Sequence, residues 1–264
     1  MDGLKDRVVL VTGGNSGIGQ AAALAFAEQG AQVVVAARDA ERGEQVVRRI
    51  EANGGDAVFV QTDVSKAADV EALVARAVHA YGRLDCAFNN AATEGVLCDT
   101  ADVEEEQFDR VIGVNLKGVW LCMKHEIRQM LAQEPSGGAI VNTSSVNGLG
   151  GVTRGAIYSA TKAGVLALTK SAAQEYARHG IRVNALAAGA FDTPMLESVF
   201  EQYAGMMGVT PQEVEARIES QIPMGRIGRP EEAAKAAVWL CSDAASYVTG
   251  HSMIADGGLT SPFR

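Results

Sequence analysis

The sequence predicts a doubly wound α/β fold: a seven-stranded parallel sheet with helices on both faces. Three observations predict it. Seven short runs rich in Val, Ile and Ala recur along the 264 residues, several of them without polar alternation, as strands buried on both faces require. Helical stretches alternate with these runs, and glycines follow four of them. A glycine-rich turn also joins the first run to the first helical stretch.

The elements follow in order. The run at 7–12 is a Val/Leu strand that feeds Gly13-Gly14-Asn15-Ser16-Gly17-Ile18-Gly19, and an Ala-rich helix is expected over 17–29, ending at Gly30. Strand 32–37 and helix 41–53 form the next unit, closed by Gly54-Gly55, and strand 57–61 with helix 67–81 the third, closed by Gly82. Strand 84–88 precedes a long helical stretch at 104–131. Strand 138–144, helix 157–179 with Gly180 after it, strand 181–187, helix 230–242 and strand 251–255 complete the pattern. One segment breaks the rhythm: 188–226 is too long for a connecting loop and is rich in Met and Phe.

Composition excludes several classes of function. The chain is 47% apolar, enough for a substantial core, and reads as one domain over 1–264. Its 23 Lys and Arg against 32 Asp and Glu give a net charge of −9 with no basic run, which argues against nucleic acid. No signal pattern opens the chain and no apolar stretch reaches spanning length, so no membrane is expected. Cys86, Cys98, Cys122 and Cys241 are scattered without a CxxC pair, as reduced thiols in a cytoplasmic protein would be. His79, His125, His179 and His251 lie far apart, and no metal site is expected.

Two motifs carry chemistry. In the glycine-rich turn, backbone amides can approach a pyrophosphate at the positive end of the following helix, which is a dinucleotide reading. Tyr158 and Lys162 stand four residues apart, on one face of the helix expected at 157–179. A phenol with a pKa of about 10 is a poor proton shuttle near neutrality, and a nearby cation is expected to lower it by roughly 1–3 units. No G-x-S-x-G elbow surrounds the serines before it, so a hydrolytic nucleophile is disfavoured.

In these motifs the chain resembles the short-chain dehydrogenase/reductase family over essentially its whole length. Thr12-Gly13-Gly14-Asn15-Ser16-Gly17-Ile18-Gly19 is similar to the family's TGxxxGxG loop, and Asp63-Val64 to its adenine-contacting pair. Asn89-Asn90-Ala91-Ala92 resembles NNAG with Ala92 for glycine, and Asn184 to Gly189 resembles N-A-x-x-P-G with Ala188 for proline. The resemblance implies a single Rossmann-like domain and NAD(P)-dependent interconversion of an alcohol and a ketone. It implies Asn115, Ser145, Tyr158 and Lys162 as the catalytic set. Tyr158 would exchange the proton, Ser145 (rather than Ser144) would steady the substrate oxygen, and Lys162 would tune Tyr158 and bind the ribose. Asn115 would kink its helix and hold a water leading from Lys162 to solvent. Cofactor contacts would come from Gly13, Asn15, Ser16, Gly17, Ile18, Gly19, Arg38, Asp63, Val64, Asn90, Ala91, Tyr158, Lys162, Gly189 and Thr193, the last toward the nicotinamide amide.

Cofactor choice turns on the tip of the second strand, where an acidic residue would bind the ribose hydroxyls of NAD. In the family's register the tip is Ala37 followed by Arg38, which suits the 2′-phosphate of NADP. Asp39 keeps NAD open, because a small register shift would bring its carboxylate to the ribose. Segment 188–226 is the expected substrate lid, with Phe191, Met195, Leu196, Val199, Phe200, Tyr203, Met206 and Met207, and further walls from 93–96 and 146–152. This predicts a small-molecule secondary alcohol or ketone with an apolar, cyclic or aromatic body. Glu197, Glu201, Glu213, Glu215 and Glu219 against Arg217 and Arg226 disfavour anionic substrates. Relatives imply a homotetramer, with 247–259 as an interface strand region. Two other readings remain: elimination or dehalogenation without a dinucleotide, and a non-catalytic binding or regulatory protein.

Overall fold

The computed structural model describes residues 3–261. Seven parallel strands run β1 (Val8–Thr12), β2 (Gln32–Ala37), β3 (Asp56–Gln61), β4 (Cys86–Asn89), β5 (Gly138–Ser145), β6 (Ile181–Ala188) and β7 (Ser252–Ala255). Their spatial order is β3-β2-β1-β4-β5-β6-β7. The sheet is therefore the doubly wound one the sequence predicts. Nine α-helices surround it among the described residues: α1 (Gly17–Glu28), α2 (Ala40–Ala52), α3 (Ala67–Tyr81), α4 (Glu105–Ile112), α5 (Val119–Ala132), α6 (Ala156–Tyr176), α7 (Pro194–Met207), α8 (Pro211–Glu219) and α9 (Pro230–Cys241).

Every residue of β1 is buried, and alternate ones enter two different cores. Val9 and Val11 join Phe26, Val33, Val35, Phe88 and the alanines of α9 on one face. Val8 and Leu10 join Val34, Leu73, Met123, Ile140 and Val165 on the other. A strand period of two thus explains why Val8 to Val11 are all apolar: each face meets helices rather than water.

The order reverses between β1 and β4, whose carboxy ends part toward opposite sides of the sheet. Such a switch point leaves a crevice above the strand ends, where ligands of open α/β sheets bind. The loops after β1, β4, β5 and β6 all open into it.

Two expectations are corrected. The stretch at 104–131 is interrupted: α4 ends at Ile112, a π-helical turn occupies Gly113–Gly118, and α5 begins at Val119. Periodicity does not reveal this, but the break falls at Asn115, where the resemblance implied a kink. Segment 188–226 carries α7 and α8, each begun by a proline behind a capping threonine. No helix among the described residues is long and apolar enough to cross a membrane.

Candidate active site

A cavity of about 1090 Å³ occupies the crevice. Its lining includes every residue from the proposed cofactor set except Gly19 and, of the proposed catalytic set, Ser145, Tyr158 and Lys162. Asn115 is not in the lining and sits fully buried behind it.

The glycine turn is built for close approach. Gly13 has φ +65° and packs against the Ala91 backbone, and a Cβ on Gly19 would strike the carbonyl oxygen of Gly13. Only glycine fits there. Gly19 thus shapes the cradle from behind, which is why it is absent from the lining. Thr12, the last residue of β1, ties the turn to the β4 loop: its Oγ1 accepts from the backbone N–H of Asn90 at 3.0 Å and of Ala91 at 3.2 Å.

At one end of the crevice lie Arg38, Asp39, Arg42, Asp63 and Val64. The Asp39 carboxylate caps α2, accepting from the Arg42 backbone N–H at 3.1 Å, and stands 3.5 Å from the Arg42 guanidinium. Burial raises the Asp63 pKa, but hydrogen bonds from Ser65, with Lys66 and Arg38 nearby, leave it below the usual carboxylate range. Asp39 is therefore engaged by its own helix, while Arg38 makes no ion pair among the described residues.

The chemistry-bearing residues converge at the other end. Tyr158 opens α6 and faces the cavity, with Ser145 ending β5 beside it. Ser145 Oγ accepts from the Asn147 backbone N–H at 3.1 Å. Ser144 points elsewhere, its hydroxyl donating to the Lys162 carbonyl at 2.8 Å, as adjacent strand residues must diverge. Lys162 is buried, and its Nζ donates to the Thr143 carbonyl at 2.9 Å while lying 5.5 Å from the centre of the Tyr158 ring.

The electrostatics correct one expectation. The phenol of Tyr158 is not made acidic by Lys162. Burial pushes its pKa up to about 12, against a hydrogen bond with Ser145 that lowers it, and the charge of Glu94 raises it further. Burial also brings Lys162 down to about 8. Burial disfavours the charged form of each group, and the Lys162 ammonium, turned to Thr143, does not offset that cost for Tyr158.

Asn115 is held rather than free. Its Oδ1 accepts from the Thr93 backbone N–H and its Nδ2 donates to the Thr93 carbonyl, both at 2.8 Å. This mimics one rung of a sheet and pins the loop after β4 to the π turn. Thr193, expected at the nicotinamide amide, lines the cavity and also caps α7, its Oγ1 accepting from the Leu196 N–H at 3.3 Å. Gly189 donates its N–H to the Ala255 carbonyl at 2.9 Å, fixing the β6 exit.

Phe191, Met195, Leu196, Val199, Tyr203 and Met207 of the 188–226 segment line the cavity, whereas Phe200 packs with Ala204 and Val214 in a small core of its own. Arg226 is bound bidentately to Glu232 at 2.7 and 2.8 Å, so Arg217 alone of the two arginines lines the cavity. Sequence reasoning missed Thr12, Thr143, Arg42 and Glu94. Thr12 stood in the quoted loop and Glu94 in the quoted wall, but the first counted as strand and the second only as bulk. No cluster of His, Cys, Asp and Glu among the described residues could hold a metal.

Comparison with known proteins agrees with this architecture. Residues 13–260 match the family model described as enoyl-(acyl carrier protein) reductase. The chain is 44% identical over 260 residues to a 2,5-dichloro-2,5-cyclohexadiene-1,4-diol dehydrogenase of Sphingobium indicum, covering 98% of this chain and 99% of that one. It is 41% identical over 256 residues to a cyclohexanol dehydrogenase of an Acinetobacter species, covering 97% and 96%. A variant actinorhodin polyketide ketoreductase solved with NADPH superposes with a TM-score of 0.93 at 36% identity, covering 97% of this chain and 98% of that one. The chain belongs to the short-chain dehydrogenase/reductase family of oxidoreductases.

Proposed function

We propose that the protein transfers hydride between NADP(H), with NAD(H) as the alternative, and a cyclic secondary alcohol or its ketone, using Tyr158 as general acid and base. The observation that carries this reading is the meeting of Tyr158, Ser145 and Lys162 at one end of a crevice whose other end is a glycine cradle. The two relatives named for cyclohexanol and a cyclohexadiene diol support a ring-shaped substrate. The apolar residues of α7 that face the cavity fit such a body.

The residues present fit a nicotinamide dinucleotide. Gly13 and Gly19 leave room for a pyrophosphate, and Arg38 and Arg42 offer cations at the adenosine end where a 2′-phosphate would lie. The bound cofactor supplies the hydride donor or acceptor. In reduction, Tyr158 gives its proton to the carbonyl oxygen, while the Ser145 hydroxyl hydrogen-bonds that oxygen. A phenol held near 12 is fully protonated at neutral pH and is ready to donate. In oxidation Tyr158 takes the alcohol proton, so the same residue must first ionise. Lys162, fixed by Thr143, keeps further N–H groups that would hold the ribose of the bound cofactor.

The 188–226 segment acts as the substrate lid in this reading. We expect a homotetramer in a cytoplasmic setting, without nucleic acid or membrane as partner. The reading is tested by fluorescence titration with NADPH and NADH, followed by turnover of cyclohexanol and cyclohexanone. Tighter NADPH binding with measurable turnover is expected. Binding of neither dinucleotide would overturn the assignment.

A further inference from the structure

One side chain in the cavity has no role in the chemistry described. Glu94, in the loop after β4, is half-buried in the lining alongside Leu97, Val114, Val152 and Tyr203. No ion pair or hydrogen bond to it exists among the described residues. Glu94 thus offers the cavity a carboxylate whose acceptor oxygens no protein donor occupies, and a ligand donor is free to take them. Its charge acts on the Tyr158 hydroxyl, so it lies within electrostatic reach of the reacting oxygen.

We propose that Glu94 is a substrate-specificity residue that accepts a hydrogen bond from a second hydroxyl on the ring of the substrate, making a cyclic diol or hydroxyketone the preferred substrate class. This rests on the oxidoreductase reading above and narrows it. A hydroxyl is the donor that fits. It completes the carboxylate's hydrogen bonding at small desolvation cost, whereas an ammonium would have to shed its own hydration among Leu97, Val114 and Val152. A ring carboxylate would meet Glu94 as a like charge and is rejected. Loop placement suits selection, because the loop is pinned at Thr93 by Asn115, one residue before Glu94.

The test compares kcat/KM for oxidation of cyclohexanol with each positional and stereochemical isomer of cyclohexanediol, with aminocyclohexanols and hydroxycyclohexanecarboxylates alongside. It uses the full-length wild type, Glu94→Gln and Glu94→Leu. Wild type should favour at least one diol over cyclohexanol by about ten- to a hundredfold, the worth of a hydrogen bond to a charged group. Glu94→Leu should abolish that ratio, and Glu94→Gln, which can still accept a weaker bond, should keep part of it. Both variants should also begin oxidation at lower pH than wild type, since a charge opposing Tyr158 ionisation is gone. Titration with dinucleotide verifies that the variants remain folded around the cofactor.

Equal diol preference in wild type and Glu94→Leu, or none in wild type, overturns the assignment while leaving the oxidoreductase reading intact. A preference for aminocyclohexanols over every diol overturns the hydroxyl and assigns a cationic substrate. Absence of turnover on all of these alcohols with either dinucleotide overturns the oxidoreductase reading itself, and this inference with it.

Discussion

At the scale of single residues, the reactive pair was legible but its electrostatics were not. Spacing brings Tyr158 and Lys162 to one face of α6, and the serine thirteen positions earlier completes the group. What a sequence cannot carry is depth: burial moves Tyr158 up to about 12 and Lys162 down to about 8, opposite to the mutual stabilisation that adjacency suggests. The consequence is directional. Oxidation should accelerate as pH rises toward alkaline values, because only ionised Tyr158 can accept a proton, while reduction stays level through neutral pH. Initial rates in both directions over roughly pH 6 to 10 would check this; a falling oxidation rate contradicts it. A second residue-level case is Glu126, wholly buried in α5 and held by Asn89 Nδ2 at 2.9 Å, with its pKa raised by burial to about 8. A raised folded-state pKa favours the protonated, folded form, so its stabilising contribution is complete below the unfolded value of about 4.5 and is lost as pH climbs through about 8. Unfolding by urea should show stability falling across that window by on the order of a few kcal/mol, and Glu126→Gln should flatten the slope. An unaltered slope in the variant would refute the assignment.

At the scale of elements, strands were the clearest, since buried parallel strands write themselves as uninterrupted apolar runs. Glycines marked helix ends for a definite reason: Gly82, with φ +83°, closes α3 in a left-handed conformation. Two features escaped. Thr193-Pro194 and Thr210-Pro211, with Glu213 completing a capping box, announce α7 and α8 in the local sequence, but the Met/Phe content drew attention first. A kink at Asn115 was implied by the resemblance, but its form, a π turn over Gly113–Gly118, was not legible in periodicity, and the two bonds that tie Asn115 to Thr93 reach more than twenty residues away. Asn115→Leu leaves a part-buried N–H and C=O of Thr93 without their partner and should lower unfolding free energy by about 1–3 kcal/mol. It should also raise amide exchange in the 91–97 loop and reduce turnover. Full protection of the Thr93 amide in that variant would contradict the role given to Asn115.

At the scale of the molecule, strand order decides where function sits. The reversal between β1 and β4 places four loops over one crevice; the alternation of strands and helices foretold a doubly wound sheet but not where its order turns. Cofactor preference belongs to this scale because it depends on how β2 delivers α2: Asp39 engages the first turn of that helix and Arg42 within it, while Arg38, at the same end of the crevice, makes no ion pair among the described residues. Arg38→Ala and Arg42→Ala should each weaken NADPH by about tenfold with little change for NADH, read by fluorescence titration. Equal losses for both dinucleotides would remove the phosphate assignment. Assembly was open to inference only by resemblance. Exposed Trp120 on α5 and Tyr247 and Ile254 near the β7 edge are the surface such assembly would cover. Light scattering should give four chain masses, and a monomer would contradict the tetramer.

Everything proposed for the chemistry passes through one hydroxyl group. The most direct measurement is turnover and dinucleotide affinity in Tyr158→Phe, which deletes that group and nothing else. Affinity within about twofold of wild type, with kcat reduced by roughly 10²–10⁴, is the predicted result. Turnover at the wild-type rate would contradict it.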